Sequence, residues 1–141
     1  MEDNHNYDEH VLYVGRFQPP HMGHSAIFNE SLDQNKKICI AIRNVEPSEQ
    51  NPFPAEIIKQ LWEKIYSGNP LVTVIVIPNI SCIKYGRTVG YSVEEVKVSS
   101  KIENISATSI REAIKLGNDS WKDKVSSLIH DDLESFISQL Q

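Results

Sequence analysis

Two histidines three residues apart, His21 and His24, stand in a run that reads Gly15-Arg16-Phe17-Gln18-Pro19-Pro20-His21-Met22-Gly23-His24. Residues at i and i+3 share a face at the start of a helix, so both imidazoles can reach one ligand. There they can donate hydrogen bonds to phosphate oxygens and stabilise the negative charge that grows on a departing group. Gly15 permits a tight turn and a close approach of backbone to ligand. Pro19 and Pro20 stiffen the loop, so little ordering entropy is lost on binding. Main-chain amides of the turn and helix start, with the positive end of the helix dipole, add to the attraction for an anion. Without further support, two histidines in one turn would read as chance or a weak metal site.

Support comes from a second run, Ile105-Ser106-Ala107-Thr108-Ser109-Ile110-Arg111. Ser106, Thr108 and Ser109 offer hydroxyls beside unpaired helix amides, and Arg111 brings a guanidinium one turn in, which together make a second anion cradle. Taken alone, the same residues would read as a serine cap and a solvated arginine.

The elements that must carry these runs follow from the apolar pattern. His10–Val14 is expected as a short strand ending at Gly15, and Gly23–Gln34 as a helix. Lys36–Ile42, rich in β-branched residues, reads as a second buried strand. Pro54–Tyr66 reads as a helix with Ile57, Ile58, Leu61, Trp62 and Ile65 on one face, stopped by Ser67-Gly68-Asn69-Pro70. Leu71–Ile77 is the strongest strand signal and is expected to be buried on both faces, as parallel strands are. Tyr91–Val98 reads as another strand. Ser106–Leu116 reads as a helix closed by Gly117-Asn118. Trp121–Leu140 reads as one or two helices, with Val125, Leu128, Ile129, Leu133, Phe136, Ile137 and Leu140 turned inward. Alternating strands and helices predict an α/β fold, a Rossmann-like, doubly wound parallel sheet flanked by helices. Residues 1–9 are expected to be a flexible tail and 10–141 a single domain. Ligands of such sheets bind beyond the carboxyl ends of the strands, where both runs are expected to lie.

The first run resembles the Gly-Arg-Phe-x-Pro-x-His-x-Gly-His signature of the cytidylyltransferase-like nucleotidyltransferases. The wording Arg-Phe-Gln-Pro is most similar to the archaeal-type nicotinamide mononucleotide adenylyltransferases. The second run resembles the superfamily's Ile-Ser-x-Thr-x-x-Arg signature, which holds the β- and γ-phosphates of a nucleoside triphosphate. Two phosphate motifs in family order are far more specific than either alone. The resemblance implies catalytic roles for His21 and His24, joined by Arg16 and Arg111. It also implies nucleotide contacts from Gly15, Arg16, Phe17, His21, Gly23, His24, Ile105, Ser106, Thr108, Ser109 and Arg111. Arg43, at the end of the second strand, is expected to project toward the same place. Asn51-Pro52-Phe53 resembles the Asn-Pro-Phe of many of these adenylyltransferases, so Arg43, Asn51 and Phe53 join Tyr85 and Arg87 as expected contacts to the acceptor. The acidic-arginine pair usual a few residues later is replaced by Ile57-Ile58, and the stretch after the third strand is shorter than in enzymes that make dinucleotides. The loop 84–91, with Arg87, two tyrosines and two glycines, fits an acceptor-binding role or a plain tight turn.

The implied reaction moves a nucleoside monophosphate from a triphosphate to a phosphate-bearing acceptor, with release of pyrophosphate. AMP transfer from ATP to nicotinamide mononucleotide leads, and CTP with a polyol or sugar phosphate is the alternative. A binding module without turnover is the rival from another class. Mg²⁺ is expected to accompany the triphosphate, and no protein metal site is expected, because no carboxylate cage is visible. With 141 residues, 40% hydrophobic and 23% charged, the chain has an ordinary globular composition. A net charge of −5 argues against nucleic acid as partner. No apolar run approaches the ~20 residues of a membrane span, so a cytoplasmic protein without a membrane partner is expected. Cys39 and Cys82 are expected to be reduced, packed thiols. Trp62 is expected in the core. Trp121 and the C-terminal apolar positions fit core or a contact between copies, which leaves a homo-oligomer open. His5, His10 and His130 receive no role.

Overall fold

The computed structural model describes residues 7–87 and 90–140. Its sheet has three parallel strands, β1 (Val11–Gly15), β2 (Ile38–Asn44) and β3 (Val72–Pro78), in the order β1-β2-β3. Between them run α1 (Met22–Leu32) and α2 (Ala55–Ile65). A short α3 (Ser100–Glu103) and α4 (Ala107–Lys115) follow. Two 3₁₀ turns, Asp119–Lys124 and Ser127–Ile129, lead into α5 (His130–Leu140). The α/β, Rossmann-like class is as expected. Register places Gly15 beside Ile42 and Ile42 beside Val76, so all three strands finish at one edge. Whatever follows β1 and β2 is delivered there.

The helices start and stop on local chemistry. Ser106 caps α4 by accepting a hydrogen bond from the Ser109 N–H at 3.3 Å. Gly117, at φ +70°, ends it in the left-handed region. α2 begins after Pro54, whose missing N–H costs nothing at a helix start. Its face of Ile58, Leu61 and Trp62 is buried against the sheet. Ile38, Ile40 and Ile42 are fully buried beneath it. An aromatic cluster closes the region between α1, α2 and the first loop. Phe28 lies 5.1 Å from Trp62 and 5.0 Å from Tyr13, and Phe17 lies 5.5 Å from Trp62. Such edge-to-face geometry orients rings as well as burying them.

Several expectations need correction. β3 is not buried on both faces: it is the edge of the described sheet, its burial alternates, and Ile75 is 38% exposed. An edge strand has a neighbour on one side only, so a continuous apolar run does not guarantee two covered faces. The segment 91–98 forms no strand, and Tyr91 and Val93 lie in the open. Leu128 and Leu140 point outward, while Val125, Ile129, Leu133 and Ile137 pack as expected. Cys39 and Cys82 are free thiols, but Cys82 is exposed and not packed. Trp62 and Trp121 are both core. His130 does have a role, a structural one: its Nε2–H faces the carbonyls of Lys122 and Val125 at 3.0 and 2.9 Å, fastening the 3₁₀ turns to α5. His10 bonds the Asp8 carbonyl at 2.8 Å, and Asp8 pairs with Lys37. His5 and part of the 84–91 loop, Thr88 and Val89, lie outside the described residues.

Phe28, 1% exposed at the centre of the ring cluster, is expected to carry much of the stability. Phe28→Ala should cost about 3–5 kcal/mol in urea unfolding, the usual range for emptying an aromatic core site. Leu116→Ala, at a position 81% exposed, should stay within ~0.5 kcal/mol of the parent. Equal losses at the two positions would contradict this placement of the core.

Candidate functional site

The loop after β1 is shaped by packing. Phe17 takes φ +53°, folding its ring back over Gly15, where a Cβ would stand 2.9 Å from the Phe17 Cζ. Gly15 is therefore required first by Phe17. The Gln18–Pro19 peptide is cis. Buried Phe17 in turn supports His24, with ring centroids 4.9 Å apart, and Trp62 flanks the same imidazole at 5.9 Å.

The two histidines cap α1 themselves. Nδ1 of His21 accepts from the Gly23 N–H at 3.0 Å, and Nδ1 of His24 accepts from the His21 N–H at 3.1 Å. A neutral imidazole has one donor and one acceptor nitrogen, so occupation of Nδ1 as acceptor puts the proton on Nε2 in both rings. The rings stack, with centroids 3.7 Å apart and planes 19° apart. Gly23 is needed for this: a Cβ there would stand 2.7 Å from the His21 Cε1. Burial lowers the His21 pKa to about 4. Burial, with repulsion from His21 as the lesser cause, holds His24 well below the ordinary histidine value. At neutral pH the pair is uncharged, with two Nε2–H donors.

Arg111 arrives from α4. It is buried, and its Nη1 donates to the Gln18 carbonyl at 2.5 Å while Nη2 lies 3.4 Å from the Thr108 hydroxyl. Its pKa is lowered, chiefly by burial and then by the positive charge of Arg16. Arg43 stands at the end of β2, its Nη2 donating to the Asn79 side-chain oxygen and the Ile80 carbonyl at 2.9 and 3.1 Å. Its Nε is buried with no partner among the described residues.

These groups meet around a cavity of about 560 Å³. Gly15, Arg16, Phe17, His24, Arg43, Asn51, Thr108 and Arg111, all singled out in the sequence, line it together with Gln18, Gln50 and Ala107. Three of the lining residues are arginines and none is a carboxylate. In a chain of net charge −5 that concentration makes the cavity locally positive, the charge an anionic ligand would need. A second cavity of about 580 Å³ shares His24 and is lined by His21, Gly23 and Ile105, with Ile27, Ile102 and residues 95–98.

Not every expected contact is brought in. Phe53 is fully buried and packs on Phe136 at 4.9 Å, so its ring serves the core and not a ligand. Ser106 lies in neither cavity lining; its hydroxyl is engaged in capping Ser109, whose own side chain is exposed. Tyr85 and Arg87 are exposed and line neither cavity. Gln18 is the residue that sequence reasoning missed: its partners lie 35 and 93 residues away, and nothing local signals them. Among the described residues no group of three or more His, Cys, Asp or Glu could hold a metal, and none of the described helices is long and apolar enough to cross a membrane.

Between pH 6.5 and about 4 the unfolded chain binds a proton at His21 that the folded chain refuses. Stability is therefore expected to be lost as pH falls through that window and to be level in this contribution above it. His21→Asn, which keeps a capping acceptor but cannot titrate, should show a shallower acid loss in urea unfolding at pH 7, 5.5 and 4.5. Identical slopes would contradict the buried neutral imidazole.

The chain is similar to known proteins. A family model described as cytidylyltransferase-like matches residues 12–58, from β1 into α2. The chain is 29% identical over 145 residues, covering 81% of each protein, to a nicotinamide-nucleotide adenylyltransferase of Pyrobaculum arsenaticum. It is 34% identical over 50 residues, 34% of this chain and 27% of the relative, to a nicotinamide/nicotinic acid mononucleotide adenylyltransferase of Acinetobacter baylyi. With the parallel α/β sheet and the paired-histidine helix start, these matches make the chain similar to the cytidylyltransferase-like nucleotidyltransferases.

Proposed function

We propose that this chain transfers the adenylyl group of ATP to nicotinamide mononucleotide or a closely similar phosphate-bearing acceptor, releasing pyrophosphate. The observation that carries nucleotidyl transfer is the meeting of two helix starts on one cavity. One brings His24 and the other Thr108 and Arg111, with Arg16 and Arg43 beside them and no carboxylate. The adenylyl and nicotinamide assignment is supported by the names of the two relatives and by the Arg-Phe-Gln-Pro wording of the loop.

The chemistry asks little of the protein beyond position and charge. An oxygen of the acceptor's phosphate attacks the α-phosphorus in line. The bond from that phosphorus to the bridging oxygen breaks, and the electron pair leaves with pyrophosphate. In the proposed pose Arg111 and Arg16 hold the β- and γ-phosphates, and the Nε2–H groups of His21 and His24 face the oxygens on which charge grows. Because both Nδ1 atoms are committed to backbone N–H groups, the rings act as fixed donors. Such preorganised donors need no reorganisation at the moment of reaction. Arg43 and Asn51 take the acceptor's phosphate. A divalent ion enters as part of the Mg²⁺–triphosphate substrate, since the cavity lining offers no carboxylate to hold it.

His24→Ala is expected to lower turnover at least ~100-fold while the protein stays folded, the size of effect seen when a charge-stabilising donor is removed. A folded variant with near-parental turnover would contradict the assignment. The substrate is tested by incubating the protein with ATP or CTP and each candidate acceptor, and measuring pyrophosphate. Release with ATP and nicotinamide mononucleotide is the expected result. Release only with CTP and a polyol or sugar phosphate would replace the adenylyl reading. Release with no pair, despite triphosphate binding, would make the chain a binding module.

A further inference from the structure

Gln18 is 5% exposed although its loop opens on the anion cavity. Both polar atoms of its side-chain amide bond the backbone of a single residue. Nε2 donates to the Phe53 carbonyl at 2.7 Å, and Oε1 accepts from the Phe53 N–H at 2.9 Å. This two-bond pairing satisfies both main-chain polar groups of a residue that is itself 0% exposed. The backbone carbonyl of Gln18 then accepts from Nη1 of Arg111 at 2.5 Å.

Three pieces of cavity wall are joined through this one residue. The first is the loop after β1 with Arg16, which leads into α1 and His24. The second is the segment 50–53, from which Gln50 and Asn51 line the cavity. The third is α4, through Arg111. A glutamine does this without adding negative charge to the wall of a cavity that three arginines line. A carboxylate at the same point would pair with them and compete with the incoming anion.

We propose that Gln18 is a positioning residue for the anion cavity, its amide holding the 50–53 segment against the first loop while its carbonyl aims the Arg111 guanidinium. The inference rests on the anion-binding reading given above. It differs from a purely structural role in what it requires: loss of the amide pairing must loosen the grip on phosphate, and not merely lower the melting temperature.

The test is calorimetric binding of inorganic pyrophosphate by three folded proteins. Gln18→Met keeps length and bulk but removes both amide bonds. Phe136→Leu trims the ring packed on Phe53 and lowers stability without touching those bonds. Q18M is expected to bind pyrophosphate ~10-fold or more weakly than the parent, about 1.4 kcal/mol, with a comparable rise in KM for the triphosphate. F136L, compared at a similar loss of melting temperature, should stay within ~3-fold of the parent, as expected for a site whose polar groups are intact. Parental affinity in Q18M, or equal weakening in both variants, would overturn the role of Gln18 and leave the proposed function standing. Failure of the parent itself to bind pyrophosphate would overturn the proposed function, and this inference with it. Should Q18M not fold, Gln18→Asn, a neutral amide one methylene short, is read against the same thresholds.

Discussion

The site depends on how α1 begins. Helix starts expose unpaired N–H groups, and most proteins satisfy them with a hydroxyl or carboxylate side chain. Here the acceptors are two imidazole nitrogens, Nδ1 of His21 and Nδ1 of His24. That choice caps the helix and at the same time decides which way each ring presents its proton. A serine cap would supply neither the second donor nor the rigid ring. Gly23 leaves room for the arrangement, and the Phe17 and Trp62 rings flank His24.

From that cap the remaining features follow in order. A pair of stacked neutral rings has no charge of its own, so the positive charge of the cavity wall comes from Arg16, Arg43 and Arg111. Those side chains arrive from three places far apart in sequence, and the parallel register brings two of them to one edge of the sheet. Arg111 arrives from α4 and is fixed by the carbonyl of Gln18. Burial, and after it the positive charge of Arg16, lowers the pKa of this guanidinium.

Much of this was legible in the sequence because it is written in local chemistry. The turn glycines, the i, i+3 histidines and the serine-capped arginine helix each announce themselves within about ten residues, the reach of one helical segment. The faces of α2 and α4 are likewise set by local periodicity. What was not legible depends on partners far along the chain. Gln18 looks like any polar loop residue until Phe53 is placed beside it. Phe53 looks like a ligand contact until α5 covers it. The apolar run of β3 suggested a central strand, but edge or centre is decided by which strands assemble and not by the run itself. Leu128 and Leu140 share the apolar type of their buried neighbours, but one sits in a short 3₁₀ turn and the other at the last position of α5, and both are exposed.

Nuclear magnetic resonance of ¹⁵N-labelled histidine tests the central claim most directly, because it reads tautomer, charge and ligand contact in one sample. At neutral pH both His21 and His24 should appear as neutral rings protonated on Nε2, and both Nε2 signals should move when pyrophosphate is added. Rings protonated on Nδ1, titration at the ordinary histidine value, or Nε2 signals indifferent to pyrophosphate would contradict the account.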